Sequence, residues 1–203
     1  MKVPPLEMER GAVREALDTI RHPFCIAVDR AKNPFNVGSI VRTAHSFLAK
    51  EILLIGTEPW YERAAMGMQR YENIVEVESG PAFLKHIAAS GQPLIAFEKD
   101  VSRAGLWEAD LPHNAVLCFG NEDTGLSAEI LEAAANVVAI PMFGINHSYP
   151  IAVAAGIAMA EWARRYYSGG RLVTEQSSQS IGLSDPNRGE SGPENGRKTL
   201  ADL

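Results

Sequence analysis

The sequence lacks a surplus of positive charge, is nearly without cysteine, and has no apolar run long enough to cross a bilayer. Each absence removes a class of protein. Lys and Arg number 19 against 25 Asp and Glu, a formal net charge of −6 over 203 residues. A chain coated with phosphate-neutralising cations is therefore excluded, although a local basic patch or a groove shared by two chains is compatible with that balance. The only two cysteines, Cys25 and Cys118, sit inside the apolar runs "FCIAV" and "AVLCFG". They read as buried thiols in a reducing compartment, not as a disulfide framework. With no CxxC spacing and five scattered histidines, no metal is expected. The opening "MKVPPLEMERGAVREAL" is charged throughout, unlike a secretory signal. The longest apolar run, "PIAVAAGIAMA", is shorter than the roughly 20 residues a spanning helix needs. These readings predict a cytoplasmic protein with no membrane partner.

Hydrophobic residues make up 46% of the chain, enough for a real core. They are grouped in a telling way. Short runs of Val, Ile and Leu ("FCIAVD" 24–29, "EILLIG" 51–56, "NIVEVE" 73–78, "PLIAFE" 93–98, "AVLCFG" 115–120, "NVVAIP" 136–141) alternate with helical periodicity at 37–49, 60–67, 81–90, 126–135 and 150–167. Strands without polar alternation, separated by helices, predict an α/β fold on a mostly parallel sheet with helices on both faces. Residues 1–22 read as a helical extension, 23–168 as the main domain, and 169–203, rich in Ser, Gly, Pro, Asn and Glu without periodicity, as a disordered tail.

Ligands of open α/β sheets bind beyond the carboxyl ends of the strands, and three stretches there carry unusual residues. In "NPFNVGSIVRTA" (33–44), Asn36 reads as a helix N-cap and Gly38 as a point of close approach. A helical wheel gathers Val37, Ile40, Val41, Ala44, Phe47 and Leu48 on one stripe and sets Arg42 nearly opposite, with Ser39 and Ser46. Arg42 is then either a solvated arginine or one that faces a partner chain or a phosphate. In "AVLCFGNEDTGLSAEIL" (115–131), Gly120 and Gly125 flank Asn121, Glu122, Asp123 and Thr124. The loop has no Walker lysine and does not match GxGxxG. It is either a tight turn ahead of a capped helix or, given its acids, a seat for a cationic or hydroxyl-bearing ligand. In "GINHSYPIAVAAG" (144–156), Ser148 and Pro150 suit a helix start. Asn146, His147 and Tyr149 are not needed for one, and a helix apolar nearly all round needs cover on every side.

Taken in order, the three stretches resemble the three motifs of the SpoU (TrmH-like) branch of the SPOUT RNA methyltransferases. Asn36, Gly38, Arg42, Thr43 and Ala44 match Asn-x-Gly-x-x-x-Arg-Thr-Ala. Gly120, Glu122 and Gly125 match Gly-x-Glu-x-x-Gly after a strand. Ile140, Pro141, Met142, Gly144 and Ser148 match Ile-Pro-Met-x-Gly…Ser-Leu-Asn, except that Tyr149-Pro150 replaces Leu-Asn. The resemblance covers residues 23–168. It implies a SPOUT fold with a C-terminal deep trefoil knot, a homodimer, S-adenosylmethionine as cofactor, and methylation of a ribose 2′-hydroxyl in tRNA or rRNA. It also implies that Phe97, Gly120, Ile140, Met142 and Tyr149 hold the cofactor. Arg42 would sit against RNA phosphate and ribose, Asn36 and Glu122 would fix the surrounding loops, and Ser148 would lie near the reacting centre. A dimer that keeps the fold and binds RNA without transferring methyl is the alternative, since Pro150 lacks the family's amide side chain.

Overall fold

The computed structural model describes residues 9–167; residues 1–8 and the expected tail at 169–203 lie outside them. The apolar runs form strands β1 (Cys25–Asp29), β2 (Glu51–Ile55), β3 (Ile74–Val77), β4 (Leu94–Phe97), β5 (Ala104–Gly105), β6 (Val116–Phe119) and β7 (Asn136–Ala139). Every pairing between them is parallel, and the order across the sheet is β3-β2-β1-β6-β4-β7-β5. β1, β4 and β6, the inner strands, are buried at every residue, as a parallel sheet covered on both faces requires.

The helices are α1 (Arg10–Asp18), α2 (Pro34–Ser46), α3 (Gly80–Ser90), α4 (Ala128–Ala133) and α5 (Ile151–Tyr167). Because successive strand residues point to opposite faces, each strand serves two cores. Ile26, Val28, Leu117 and Phe119 meet Val37, Ile40 and Val41 of α2 and Ala155, Met159 and Trp162 of α5. Cys25, Ala27, Val116 and Cys118 meet Phe83 and Ile87 of α3 and Ile130 of α4. Burial pushes the Cys25 thiol up to about 11, so it is an inert apolar filler.

Local details depart from the sequence reading in four places. α2 starts at Pro34, and its N-cap is Asn33, whose side chain accepts from the Phe35 amide. The expected cap, Asn36, lies inside the first turn because Pro34 sets the first helical position. The segment expected as a helix at 60–67 is instead two 3-10 turns, Glu62–Ala65 and Met68–Arg70, parted by Met66 (φ 53°) and Gly67 (φ 88°) in left-handed conformation. β5 has two residues, too few for any periodicity to show. Ser148 does not cap α5; the Pro150 carbonyl takes the first helical bonds, from the Val153 and Ala154 amides at 2.9 and 3.0 Å.

Two buried carboxylates hold the periphery. Glu72 pairs with Arg21 at 2.8 Å and lies 2.7 Å from His45 Nδ1, tying the segment after α1 to α2. Glu161 on α5 accepts from Arg164 and Arg165, which hold its carboxyl down at about 2 against the cost of burial. A lowered carboxylate stabilises the fold above its ordinary range and loses that contribution only as pH falls toward the lowered value. Arg165 also donates to the Ala109 and Leu106 carbonyls, both at 2.5 Å, so α5 is stapled to the segment after β5. No described helix is long and apolar enough to cross a membrane, and the described residues contain no cluster able to hold a metal ion.

Candidate active site

The loop after β1 and the loop after β6 are built as one unit. Gly120 is required there by close approach: a Cβ on it would stand 2.3 Å from both the Gly125 carbonyl carbon and the Leu126 nitrogen. The loop folds back over that bare Cα, and Asn121 and Gly125 exchange backbone hydrogen bonds at 3.1 and 2.9 Å. The Asn121 side-chain oxygen Oδ1 accepts from the Asp123 and Thr124 amides, and its Nδ2 donates to the Arg30 carbonyl at 2.6 Å. Arg30 has φ 50°, a left-handed conformation that persists only where surroundings fix it; the Asn121 bond is one such restraint.

Both Glu122 oxygens are occupied by the β1–α2 loop. Oε1 accepts from Asn36 Nδ2 at 2.7 Å and Oε2 from the Lys32 amide at 2.9 Å. The Lys32 ammonium pairs with Asp123, which raises its pKa above the ordinary lysine value. Beneath them the buried Asp29 carboxylate, at the end of β1, accepts from the Ser127 amide at 3.0 Å. The acidic bend therefore has the chain's own donors as its first partners.

A cavity of about 530 Å³ opens beside this unit, beyond the ends of β4, β6 and β7. Phe97, Leu126, Leu131, Val138, Ile140 and Met142 give it an apolar wall. Glu98, Asp100, Asn121, Glu122, Asp123, His147, Ser148 and Tyr149 give it a polar one, with Lys99 the one Lys or Arg in the lining. The volume lies in the range of small-molecule and cofactor sites. Phe97 is stacked on the buried Phe119 with ring centroids 4.7 Å apart, which fixes its orientation. The Tyr149 hydroxyl donates to the Pro141 carbonyl at 3.0 Å and closes the β7–α5 loop on itself.

Of the residues singled out in the sequence, Phe97, Glu122, Ile140, Met142, Ser148 and Tyr149 share this cavity. Asn36 reaches it through its bond to Glu122. Gly120 lies behind the wall and shapes it through the backbone crossing. Arg42 stands apart, exposed on the outer face of α2, with no ion pair among the described residues. His147, surplus to a helix start in the sequence, also lines the cavity, and Glu98 is a lining residue that the sequence did not mark. Glu98 is the residue directly after β4, where the rule for strand ends points, and its Oε2 lies 2.3 Å from where a Cβ on Gly125 would stand. Pro150 is not part of the lining, whereas His147, three residues before it, is.

Together these features define a class: a parallel α/β protein with a cavity at the strand ends that has one apolar wall and one wall rich in acids. The sequence profile of the SpoU rRNA Methylase family matches residues 23–160, and the chain belongs to that family. It is 30% identical over 148 residues to an uncharacterized tRNA/rRNA methyltransferase of Synechocystis sp., covering 70% of this chain and 54% of that one. It is 27% identical over 164 residues to the tRNA (guanosine(18)-2′-O)-methyltransferase of Aquifex aeolicus, covering 79% and 78%. The SpoU methyltransferase AviRb from Streptomyces viridochromogenes, solved in complex with AdoMet, superimposes with a TM-score of 0.67 at 26% identity, over 73% of this chain and 63% of that one. The chain thus spans about half the length of the Synechocystis relative.

Proposed function

We propose that this protein is an S-adenosylmethionine-dependent methyltransferase acting on a ribose 2′-hydroxyl of tRNA or rRNA. The observation that carries the reading is the cavity, an apolar wall facing an acidic one, braced by the Asn36–Glu122 bond. Its chemistry fits the cofactor. An adenine ring suits Phe97, Leu126, Ile140 and Met142. A sulfonium and an amino group are cations, and Glu98, Asp100, Glu122 and Asp123 set a field that favours them. Tyr149 shapes the loop around that end. Gly120 acts through the backbone approach it permits. When bound, the cofactor supplies an electrophilic methyl group.

The chain's own residues then have to align an oxygen and bear its charge. In-line displacement gains much of its rate from positioning, and two loops locked by Glu122, Asn36 and Asn121 provide a rigid floor for it. Ser148, exposed at the cavity mouth, is placed to hydrogen-bond the incoming ribose. Arg42 is too basic to take the hydroxyl proton; it acts as a fixed positive charge for the forming alkoxide and the adjacent phosphate. Since Arg42 is outside the cavity of its own chain, the reading includes a homodimer in which Arg42 of the partner subunit meets the cavity. Exposed apolar side chains support that. Val153 is exposed on α5, and Phe143 and Ile145 are more than nine-tenths exposed beside the cavity. The trefoil knot belongs to the same reading.

The test uses labelled methyl. Wild-type protein given labelled S-adenosylmethionine and total RNA should place label in RNA and make the adjacent phosphodiester resistant to alkali, because the attacking hydroxyl is blocked. Arg42→Ala should lower transfer by at least about a hundredfold with an unchanged melting curve. Full activity in that variant removes Arg42 from the mechanism, and cofactor-independent RNA binding without transfer selects the silent alternative.

A further inference from the structure

Phe35 and Tyr61 form an exposed aromatic pair that the fold goes to some length to build. Their ring centroids are 4.5 Å apart at 42°, yet Phe35 is 55% exposed and Tyr61 39%. Tyr61 is delivered by the 3-10 turn that docks on the start of α2: its amide donates to the Pro34 carbonyl at 3.1 Å. Gly38 permits that docking. A Cβ there would lie 2.6 Å from Ala64 Cβ and 2.8 Å from the Tyr61 carbonyl oxygen. The close approach read from Gly38 in the sequence is therefore to the turn that carries Tyr61. Core packing does not require the pair, because the apolar stripe of α2 is on its other side.

Position gives the pair a chemical context. Phe35 is next to Asn36, whose side chain holds Glu122 at the cavity wall. Arg42 is seven residues further along α2, which puts it on nearly the same helix face, about 10 Å along the axis. Arg63, two residues from Tyr61, is exposed and, like Arg42, has no ion pair among the described residues. An aromatic surface flanked by free guanidinium groups matches a base attached to a charged backbone. Aromatic side chains bind bases through their faces with little regard to sequence, and cations alongside take the phosphates.

We infer that Phe35 and Tyr61 are a stacking platform for an RNA base neighbouring the nucleotide that is methylated. The inference rests on the RNA-methyltransferase reading and adds a substrate subsite to it. The pair positions RNA without taking part in the transfer. Stacking and phosphate contact differ in their response to salt: only the latter releases counterions.

The experiment titrates full-length protein with a short single-stranded RNA of mixed sequence carrying 2-aminopurine, at several salt concentrations. Phe35→Ala/Tyr61→Ala should bind roughly tenfold more weakly with an unchanged salt dependence and reduced quenching of the fluorescent base. Phe35→Trp should retain wild-type affinity. S-adenosylmethionine affinity and sedimentation should be those of the wild type in both variants. Undiminished RNA affinity in the double variant, with wild-type binding intact, overturns the platform and leaves the methyltransferase reading standing. A change of oligomeric state overturns it in favour of a contact between copies of this chain. Failure of the wild type to bind RNA while it still binds S-adenosylmethionine overturns both the platform and the RNA substrate.

Discussion

The two sides of the cavity are made in opposite ways. On the β6–α4 side, every acidic or amide side chain from Asn121 to Asp123 is bonded to the chain itself, and the backbone crosses Gly120 with no room for a methyl group. On the β7–α5 side, residues 143–148 are all exposed, and the Tyr149–Pro141 bond is the loop's one side-chain hydrogen bond among the described residues. A hydrogen-bonded loop costs nothing to organise when a ligand arrives. A loop with free Ser148 and His147 keeps its polar groups for whatever enters. The cavity thus joins a preorganised floor to a lip that offers unused polar and apolar groups, which suits a site where a cofactor rests on one side and a larger substrate or partner closes the other.

Substitutions at matched positions sharpen this contrast. The largest effect is expected at Gly120→Ala, because the new Cβ would meet backbone at 2.3 Å and no side chain can move aside. Chemical denaturation should show a loss of about 3 kcal/mol. Next comes Glu122→Gln, which sets an amide nitrogen against one of two donors, Asn36 Nδ2 or the Lys32 amide. A loss of about 2 kcal/mol is expected in the same assay. Gly144→Ala should be nearly silent, within about 0.5 kcal/mol, since nothing lies within 4 Å of its added Cβ. Equal losses at Gly120 and Gly144 would erase the distinction between floor and lip.

The strands, the parallel sheet and the outward face of Arg42 were legible because burial leaves a strong pattern. Val37, Ile40, Val41 and Ala44 are buried as the wheel predicts, and Arg42 is exposed opposite them. Details set by single backbone positions were not. Asn33 and Asn36 are both good capping residues, and Pro34 between them decides which one caps. The 60–70 segment has helical composition, but the left-handed Met66 and Gly67 break it. Local sequence marked Gly38 as a close approach and Gly120 as the flank of a turn without naming the partners, since these come from residues 61–65 and from the far side of the Gly120 loop. Arg14, Arg21, Arg30 and Lys32 are all engaged within the chain. Arg14 bonds Asn73, and the other three are paired with Glu72, Asp29 and Asp123 respectively.

In the proposed function the space between floor and lip receives S-adenosylmethionine. Calorimetric titration of the full chain with the cofactor is made beside a Met142→Trp variant, whose larger side chain narrows the apolar wall. Saturable binding at one site per chain is expected in the wild type, and clearly weaker binding in the variant. No heat from the wild type at millimolar cofactor, or the same affinity in both proteins, would contradict the proposal.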